Sequence, residues 1–276
     1  MKSSQTLNDW LKKSEIILSD SQIKSARLDC LILLEKVTGF SRAKVLAEPD
    51  YKLTVSDINE LDDLVDKRIK HIPIAYLTNT VDFYGRDFYV DNNVLIPRPE
   101  TEDIIDIISK IKLPKQAKIL DLGTGSGIIG ISIALEMPEN IVVLSDISSP
   151  ALDVAKINIQ KFNLNLKCIE SDLLQKINSK FDLIAVNLPY VPTKLYVSED
   201  LKHEPSLALY SGEDGLDLYN KFWNEISDLQ TKPSYIIMES LEIQHPQLEA
   251  LANKSGYIQS SKNHLIQYFS LKVLNQ

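Results

Sequence analysis

Cysteine is nearly missing from this chain, with only Cys30 and Cys168 among 276 residues. Both stand in apolar surroundings, which points to two reduced core thiols in a cytoplasmic protein and excludes a disulfide scaffold. Long hydrophobic runs are absent too. No stretch approaches the roughly 20 apolar residues of a membrane helix. The opening MKSSQTLNDW has no signal-peptide apolar core, so neither membrane nor export is expected. Positive charge is in short supply, with 30 Lys and Arg against 38 Asp and Glu and a formal net charge of −8. That balance argues against broad electrostatic binding to nucleic acid. The four histidines, His71, His203, His245 and His264, show no metal-ligand spacing with cysteines or carboxylates. They read as surface or structural residues, and no metal is expected. Glycine is scarce as well, at nine residues. Three of the nine, Gly123, Gly125 and Gly127, fall within five positions, and that concentration is the first sign of a site.

Along the chain, residues 1–75 read as helical. TLNDWLKKSEIIL places Leu7, Trp10, Leu11, Ile16, Ile17 and Leu18 largely on one face, with Thr6 or Asn8 as N-cap. SARLDCLILLEKVTGF repeats the pattern and stops at Gly39, a C-cap. TVSDINELDDLVDKRIK follows with Ile58, Leu61, Leu64, Val65 and Ile69 at helical spacing. A small helical bundle is expected. Residues 76–98 then change character. VDFYGRDFYVDNNVLIP alternates aromatic and polar residues around Gly85-Arg86, the pattern of a linking β-hairpin with Gly85 at the turn. From 99 to 276 helices and strands alternate. Strands are expected in AKILDLG, NIVVLSDIS, LKCIESDL, FDLIAVNLPY and PSYIIMES, with two closing strands around Tyr257 and across LIQYFSLKVL. Helices lie in TEDIIDIISKI, GIIGISIALEM, SPALDVAKINIQKF, GLDLYNKFWNEISDL and HPQLEALANKS. Such alternation implies an α/β domain with a mostly parallel, Rossmann-like seven-stranded sheet.

ILDLGTGSGIIGISIAL joins the first of these strands to its helix. Glycines let the backbone turn tightly and approach a ligand closely. Read from Gly125 through Gly127 to Gly130, the segment satisfies G-x-G-x-x-G, a weak dinucleotide signal on its own. Two features separate a nicotinamide cofactor from S-adenosylmethionine. Asp121 precedes the glycines, where a carboxylate repels a pyrophosphate but suits an ammonium and a sulfonium. Asp146 ends the next strand, where either cofactor offers a ribose diol. Asp172 ends the third strand and can face an adenine amino group. Each acid alone reads equally well as a helix cap or a turn residue. Their recurrence at three successive strand ends beside a glycine loop favours a site.

The fourth strand, FDLIAV, finishes abruptly in Asn187-Leu188-Pro189-Tyr190, and asparagine and proline are poor strand residues. At the carboxyl edge of a parallel sheet they stand beside the glycine loop. An amide or amino nitrogen is a weak nucleophile whose two N–H groups need acceptors once water is excluded. The Asn187 side-chain carbonyl can accept one and the Leu188 backbone carbonyl the other. Pro189 stiffens the segment, and Tyr190 can lie against a flat substrate group. The contribution to catalysis is orientation and charge complementarity.

This tetrad resembles the Asn/Asp-Pro-Pro-Tyr motif of amino- and amide-nitrogen methyltransferases. LIPRPETE (Leu95 to Glu102), DLGTGSG and HEPSLALYSGEDGLDLY are similar, in order and spacing, to segments of the HemK/PrmC family of protein glutamine N5-methyltransferases. The resemblance implies methylation of the glutamine amide in the Gly-Gly-Gln loop of class 1 peptide chain release factors. S-adenosyl-L-methionine would be the donor and S-adenosyl-L-homocysteine the product. It assigns Gly123, Thr124, Gly125, Ser126, Gly127, Asp146, Asp172, Leu173 and Asn187 to the cofactor, and Asn187, Leu188, Pro189 and Tyr190 to the glutamine. Asn187, Pro189 and Tyr190 would carry catalysis. Arg98 and Glu100 either join the pocket or tie the linker to the domain by an ion pair. The helical domain is expected to dock the protein substrate, and the enzyme to act as a monomer.

One departure stands out. The family's first proline is Leu188 here, which keeps the carbonyl but frees φ and adds an N–H. A Leu188→Pro change is expected to keep or raise the single-turnover rate. Four rival readings stay open at this point. They are a ribosomal-protein glutamine methyltransferase, an adenine-N6 nucleic-acid methyltransferase, a nicotinamide-dependent dehydrogenase, and a non-catalytic release-factor-binding protein. The acidic charge counts against the second, and the third leaves Asp121 and the tetrad unexplained.

Overall fold

The computed structural model describes residues 5–195 and 198–272. They form two compact units. The first holds the chain up to Thr80 together with a short later segment ending at His203, and the second holds the remainder.

In the first unit, α1 (Leu7–Asp20) opens with a capping box. The Thr6 hydroxyl accepts from Asp9 N at 3.1 Å, and the Asp9 carboxylate accepts from Thr6 N at 3.3 Å. Two otherwise orphaned helix donors are thereby satisfied. α2 (Ala26–Thr38) ends at Gly39, whose φ of +69° makes the left-handed C-cap. After α3 (Arg42–Ala47), α4 (Val55–Arg68) repeats the capping box with Thr54 and Asp57. α5 (Ile74–Thr78) closes the run. Leu7, Trp10, Leu18, Leu33, Leu34, Ile58 and Leu61 bury their side chains in one core. Within this unit the buried Arg68 meets Asp29 at 2.7 Å and Asp200 at 2.8 Å. Removing one partner of such a buried pair costs about 3–5 kcal/mol. α3 and α5 were not expected, because six and five residues are too few to display a helical period.

The hairpin is β1 (Val81–Phe83) and β2 (Arg86–Phe88), with Tyr84 and Gly85 at φ +52° and +68° in its turn. Two consecutive positive φ values match the right-handed twist of the paired strands. The sequence placed the boundaries at 75 and 98, with the hairpin as a linker between them. The structure ends the helical unit at Thr80 and groups the hairpin with the second unit. The reason is apolar: Phe83 and Phe88 are fully buried in that unit's core.

The second unit continues through a 3₁₀ turn (Pro99–Thr101) into α6 (Glu102–Ser109), β3 (Lys118–Leu122), α7 (Ile128–Glu136), β4 (Ile141–Asp146) and α8 (Ser149–Lys161). Then come β5 (Lys167–Glu170), β6 (Leu183–Val186), α9 (Asp217–Asp228), β7 (Tyr235–Glu239), α10 (His245–Lys254), β8 (Tyr257–Asn263) and β9 (Ile266–Leu271). The seven strands lie in the order β5-β4-β3-β6-β7-β9-β8, parallel except at β9. Alternate strand residues feed two cores. Ile119 and Ile237 join α6 and α7 on one face, while Leu120, Leu122, Ile184 and Val186 meet Trp223 and Tyr257 on the other. β3 and β6 are neighbours, with Leu122 opposite Val186. From β3 the chain builds outward to β4 and β5 on one side and to β6 and β7 on the other. That is the topological switch point where open α/β sheets hold ligands.

Candidate active site

The loop leaving β3 folds back onto β4. The N–H groups of Gly123 and Thr124 both donate to the Ser145 carbonyl at 2.9 Å. Gly125 has φ +53° with nothing within 4 Å of where a Cβ would stand, so it presents bare backbone to the cavity it lines. Gly127 works differently. At φ +85° its Cβ position meets Ile131, Ala155 and Leu144 at 2.9–3.2 Å. It therefore lets α7 close on the sheet, and it does not line the cavity.

Asp146, at the end of β4, lines the same cavity and holds the loop. Its Oδ2 accepts from Gly125 N at 2.8 Å and its Oδ1 from Ser148 N at 2.9 Å. Burial pushes this carboxyl up, against the pull of those N–H donors. Asp172 also lines the cavity and pairs with Lys221 Nζ at 2.5 Å. Leu173 beside it is buried at φ +48°, a conformation costly for a leucine and held here by its surroundings. The Ser171 hydroxyl donates to its carbonyl at 2.9 Å.

Asp121 departs from expectation. It is fully buried and absent from the cavity wall. Its Oδ2 accepts from the Thr124 hydroxyl at 2.5 Å and from Gly130 N at 2.8 Å. The carboxylate pins the glycine loop to α7 from beneath instead of facing a ligand's ammonium group.

The tetrad follows β6, so the switch point brings it to the glycine loop. Asn187, Leu188 and Pro189 line the cavity together with Gly123, Thr124, Gly125 and Ser126. The contact is close: a Cβ on Gly123 would lie 3.1 Å from Leu188 Cδ2 and 3.2 Å from the Asn187 carbonyl. Tyr190 does not line the cavity. Its hydroxyl donates to Glu239 Oε1 at 2.9 Å, and burial together with that carboxylate drives its titration far up. Arg98 both lines the cavity and pairs with Glu204 at 2.6 Å, so its two expected roles coexist. Glu100 is exposed and off the cavity wall.

Residues 9–78 match the PrmC N-terminal domain, and residues 104–204 match the Methyltransferase small domain. A release factor glutamine methyltransferase of Clostridium acetobutylicum is 35% identical over 240 residues, covering 84% of either protein. The chain belongs to the release factor glutamine methyltransferase family. A bifunctional methyltransferase of Rickettsia typhi is 37% identical over 238 residues, covering 77% of this chain. The chain spans only 45% of that protein's length. Among solved structures, the Thermus thermophilus 16S rRNA N2 G1207 methyltransferase in complex with AdoMet and guanosine superposes with a TM-score of 0.52. It is 16% identical and covers 70% of this chain and 50% of its own, a likeness of fold.

In this member of the release factor glutamine methyltransferase family, several supporting residues escaped the sequence reading. Glu239 ends β7 almost wholly buried. It accepts from the Thr101 hydroxyl at 2.7 Å and from the Tyr190 hydroxyl at 2.9 Å. Asn158, buried on α8, ties the hairpin to the glycine loop. Its Nδ2 donates to Tyr89 O at 2.9 Å and Ser126 O at 2.8 Å, while its Oδ1 accepts from Tyr89 N at 2.7 Å. Gln244 Nε2 donates to Tyr190 O at 2.9 Å and Asp214 O at 2.8 Å. Beneath that clamp sits Gly215 at φ +81°, where a Cβ would collide with the Tyr190 carbonyl. Signals existed for two of these residues. A carboxylate closes the otherwise apolar YIIME, and an amide interrupts the apolar face of α8.

Proposed function

We propose that the protein methylates the N5 amide nitrogen of the glutamine in the Gly-Gly-Gln loop of class 1 peptide chain release factors, with S-adenosylmethionine as donor. One observation carries the reading: the tetrad's Asn187, Leu188 and Pro189 share one cavity wall with the glycine loop and Asp146. The names of the relatives, release factor glutamine methyltransferases, support a release-factor glutamine as the acceptor.

The residues fit the donor. Gly125 gives a bare backbone surface, Asp146 offers a carboxylate to ribose hydroxyls, and Asp172 and Leu173 line the same cavity. When bound, S-adenosylmethionine supplies an electrophilic methyl on a sulfonium. The remaining work falls to the chain. Asn187 Oδ1 and the Leu188 carbonyl accept the two N–H groups of the glutamine amide, which turns the nitrogen's free face toward the donor subsite. Fixing that approach removes orientational freedom from the barrier. The two oxygens also face the positive charge that develops on nitrogen. Pro189 holds the strand exit, and Tyr190 braces it from behind through Glu239.

The protein substrate is far larger than the cavity, and the helical unit is assigned its docking, in line with its match to the PrmC N-terminal domain. The enzyme is proposed to work as a cytoplasmic monomer without a nucleic-acid partner. Among the described residues no helix is long and apolar enough to cross a membrane. Both cysteines are free thiols.

The test is labelled S-adenosylmethionine with a bacterial class 1 release factor, repeated with the loop glutamine changed to alanine. Label on the first and none on the second is expected. Label persisting after the change would remove the assignment, and a ribosomal protein labelled in preference would redirect it.

A further inference from the structure

We propose that Glu204 is a positioning residue that aims the Arg98 guanidinium into the cavity, where that guanidinium takes the carboxylate at the methionine end of the donor. The inference deepens the donor reading given above and rests on it.

Charge singles out Arg98. The cavity wall carries two carboxylates, Asp146 and Asp172, and among the described residues one cation, Arg98. Asp172 has a partner of its own in Lys221. S-adenosylmethionine bears one carboxylate, and a carboxylate that leaves water needs a cation or several N–H donors. Position agrees with charge. Asp172 follows β5 and Asp146 ends β4, and the strands run in the order β5-β4-β3-β6-β7. The two acids therefore mark one side of the glycine loop that leaves β3. Arg98 belongs to the other side. Its carbonyl accepts from Thr101 N at 3.1 Å, and the Thr101 hydroxyl reaches Glu239 at the end of β7. A donor with its nucleoside at Asp146 and Asp172 sends its amino-acid end toward Arg98.

A guanidinium on a long, flexible stem selects a ligand only if it is held. Residues 93–98 and 205–208 both contribute to the cavity wall, and neither segment lies in a strand or an α-helix. Glu204 ties the two together. Its Oε2 accepts from Ile96 N at 2.9 Å and its Oε1 from Arg98 Nη2 at 2.6 Å. Only 3% of its side chain is exposed, so the carboxylate has no room to swing away. A guanidinium offers five N–H donors in a rigid fork, and the bond to Glu204 occupies one of its nitrogens. Arg68 shows the same chain using one guanidinium for two carboxylates, with Nε on Asp29 and Nη2 on Asp200. Arg98 has Glu204 as its first carboxylate and the cavity for its second.

The test is calorimetry with S-adenosylhomocysteine and with its decarboxylated analogue, which keeps the amine and lacks the carboxylate. No release factor is present, so the acceptor assignment does not enter. The wild type should prefer S-adenosylhomocysteine by roughly tenfold or more, the scale of a hydrogen bond to a charged group. Arg98→Met should abolish that preference by weakening S-adenosylhomocysteine alone. Glu204→Gln keeps an oxygen for Ile96 N but turns an NH₂ toward the guanidinium. It should lose part of the preference while binding the analogue within a few-fold of the wild type, whereas general damage to the wall would weaken both ligands alike. In the R98M background, E204Q should change neither affinity. A wild type that binds both ligands equally, or an R98M protein that keeps the preference, would overturn the role given to Arg98 and leave the proposed function standing. An E204Q protein that weakens both ligands equally, or that acts as strongly in R98M, would overturn the role given to Glu204. A wild type that binds neither ligand would overturn the donor reading itself.

Discussion

Tyr219 accepts the main-chain N–H of Leu188, its hydroxyl oxygen 3.3 Å from that nitrogen. The proton of that hydroxyl goes to the Glu239 carbonyl. The related motif carries a proline at this position and has no N–H to satisfy. Here the extra donor is buried with Leu188, and a fully buried tyrosine receives it. Removing the hydroxyl in Tyr219→Phe strands the N–H at a cost of about 1–3 kcal/mol. Leu188→Pro deletes the same N–H and should keep or raise the single-turnover rate. Because the two changes act on one hydrogen bond, they should not add. In the L188P background, Y219F should cost clearly less than in the wild type. Urea unfolding of the four proteins measures this, and strictly additive losses would show that Tyr219 does not serve Leu188.

The glycines divide into two kinds, and alanine at one of each kind separates them. Gly125→Ala places a methyl in open cavity space from a left-handed backbone, a strain of about 1–2 kcal/mol. Its main expected effect is at least a tenfold loss of S-adenosylmethionine affinity by calorimetry. Gly215→Ala drives a methyl into the Tyr190 carbonyl and the Gln244 amide, atoms that hold the tetrad in place. It should leave cofactor affinity within a few-fold and cut methyl transfer severely. The opposite pattern would reverse the roles assigned to the two loops.

Much of this arrangement was legible in the sequence because local chemistry and fold agree. The central strands β3, β4, β6 and β7 carry apolar runs, and the β6 exit breaks its run with Asn187 and Pro189. Gly39 and Thr6 mark helix ends by residue type alone. Other features depended on distance in the fold. Nothing local in the turn before α10 tells that Gln244 reaches back to Tyr190, 54 positions away. Asp121 was misread for a related reason. Alternation along β3 puts Leu120 and Leu122 in one core, but only the packing of α7 shows that Asp121 points under the loop, at Gly130 N. The hairpin was placed as a linker because its strands are short and polar in part, while Phe83 and Phe88 are buried by elements far along the chain.

Asp146 should prove a loop anchor as well as a ribose ligand. Its two oxygens each accept a backbone N–H, from Gly125 and Ser148, and hydrogen bonds to a charged group contribute about 1.5–3 kcal/mol. Asp146→Ala loses both along with the ribose contact, so S-adenosylmethionine affinity should drop by well over tenfold. Asp146→Asn keeps one accepting oxygen and should lie between the alanine variant and the wild type. Calorimetry ranks the three proteins. An asparagine variant as weak as the alanine one would mean that charge alone matters and that the anchoring bonds do not.

The acid beneath the loop gives stability a pH dependence of known sign. Burial pushes the Asp121 carboxyl up from 3.8 to about 6, although hydrogen bonds from Thr124 and Gly130 pull the other way. The folded protein thus holds this proton more tightly than the unfolded chain does. Stability from the group is complete below the unfolded value near 4 and is lost as pH rises through about 6. The gap between the two values corresponds to on the order of 3 kcal/mol. Asp121→Asn keeps one oxygen to accept from Thr124 and Gly130 and cannot ionise. The difference in unfolding free energy between wild type and D121N, measured in urea at pH 4, 5, 6 and 7, should shift steadily against the wild type across that range. Ionisation of carboxyls remote from Asp121 is common to both proteins and cancels in the difference, and Asp146, whose charge also pushes Asp121 up, adds to the shift in the same experiment. Flat behaviour from pH 4 to 7 would mean that Asp121 titrates alike in the folded and unfolded chain, and that its charge is compensated in place.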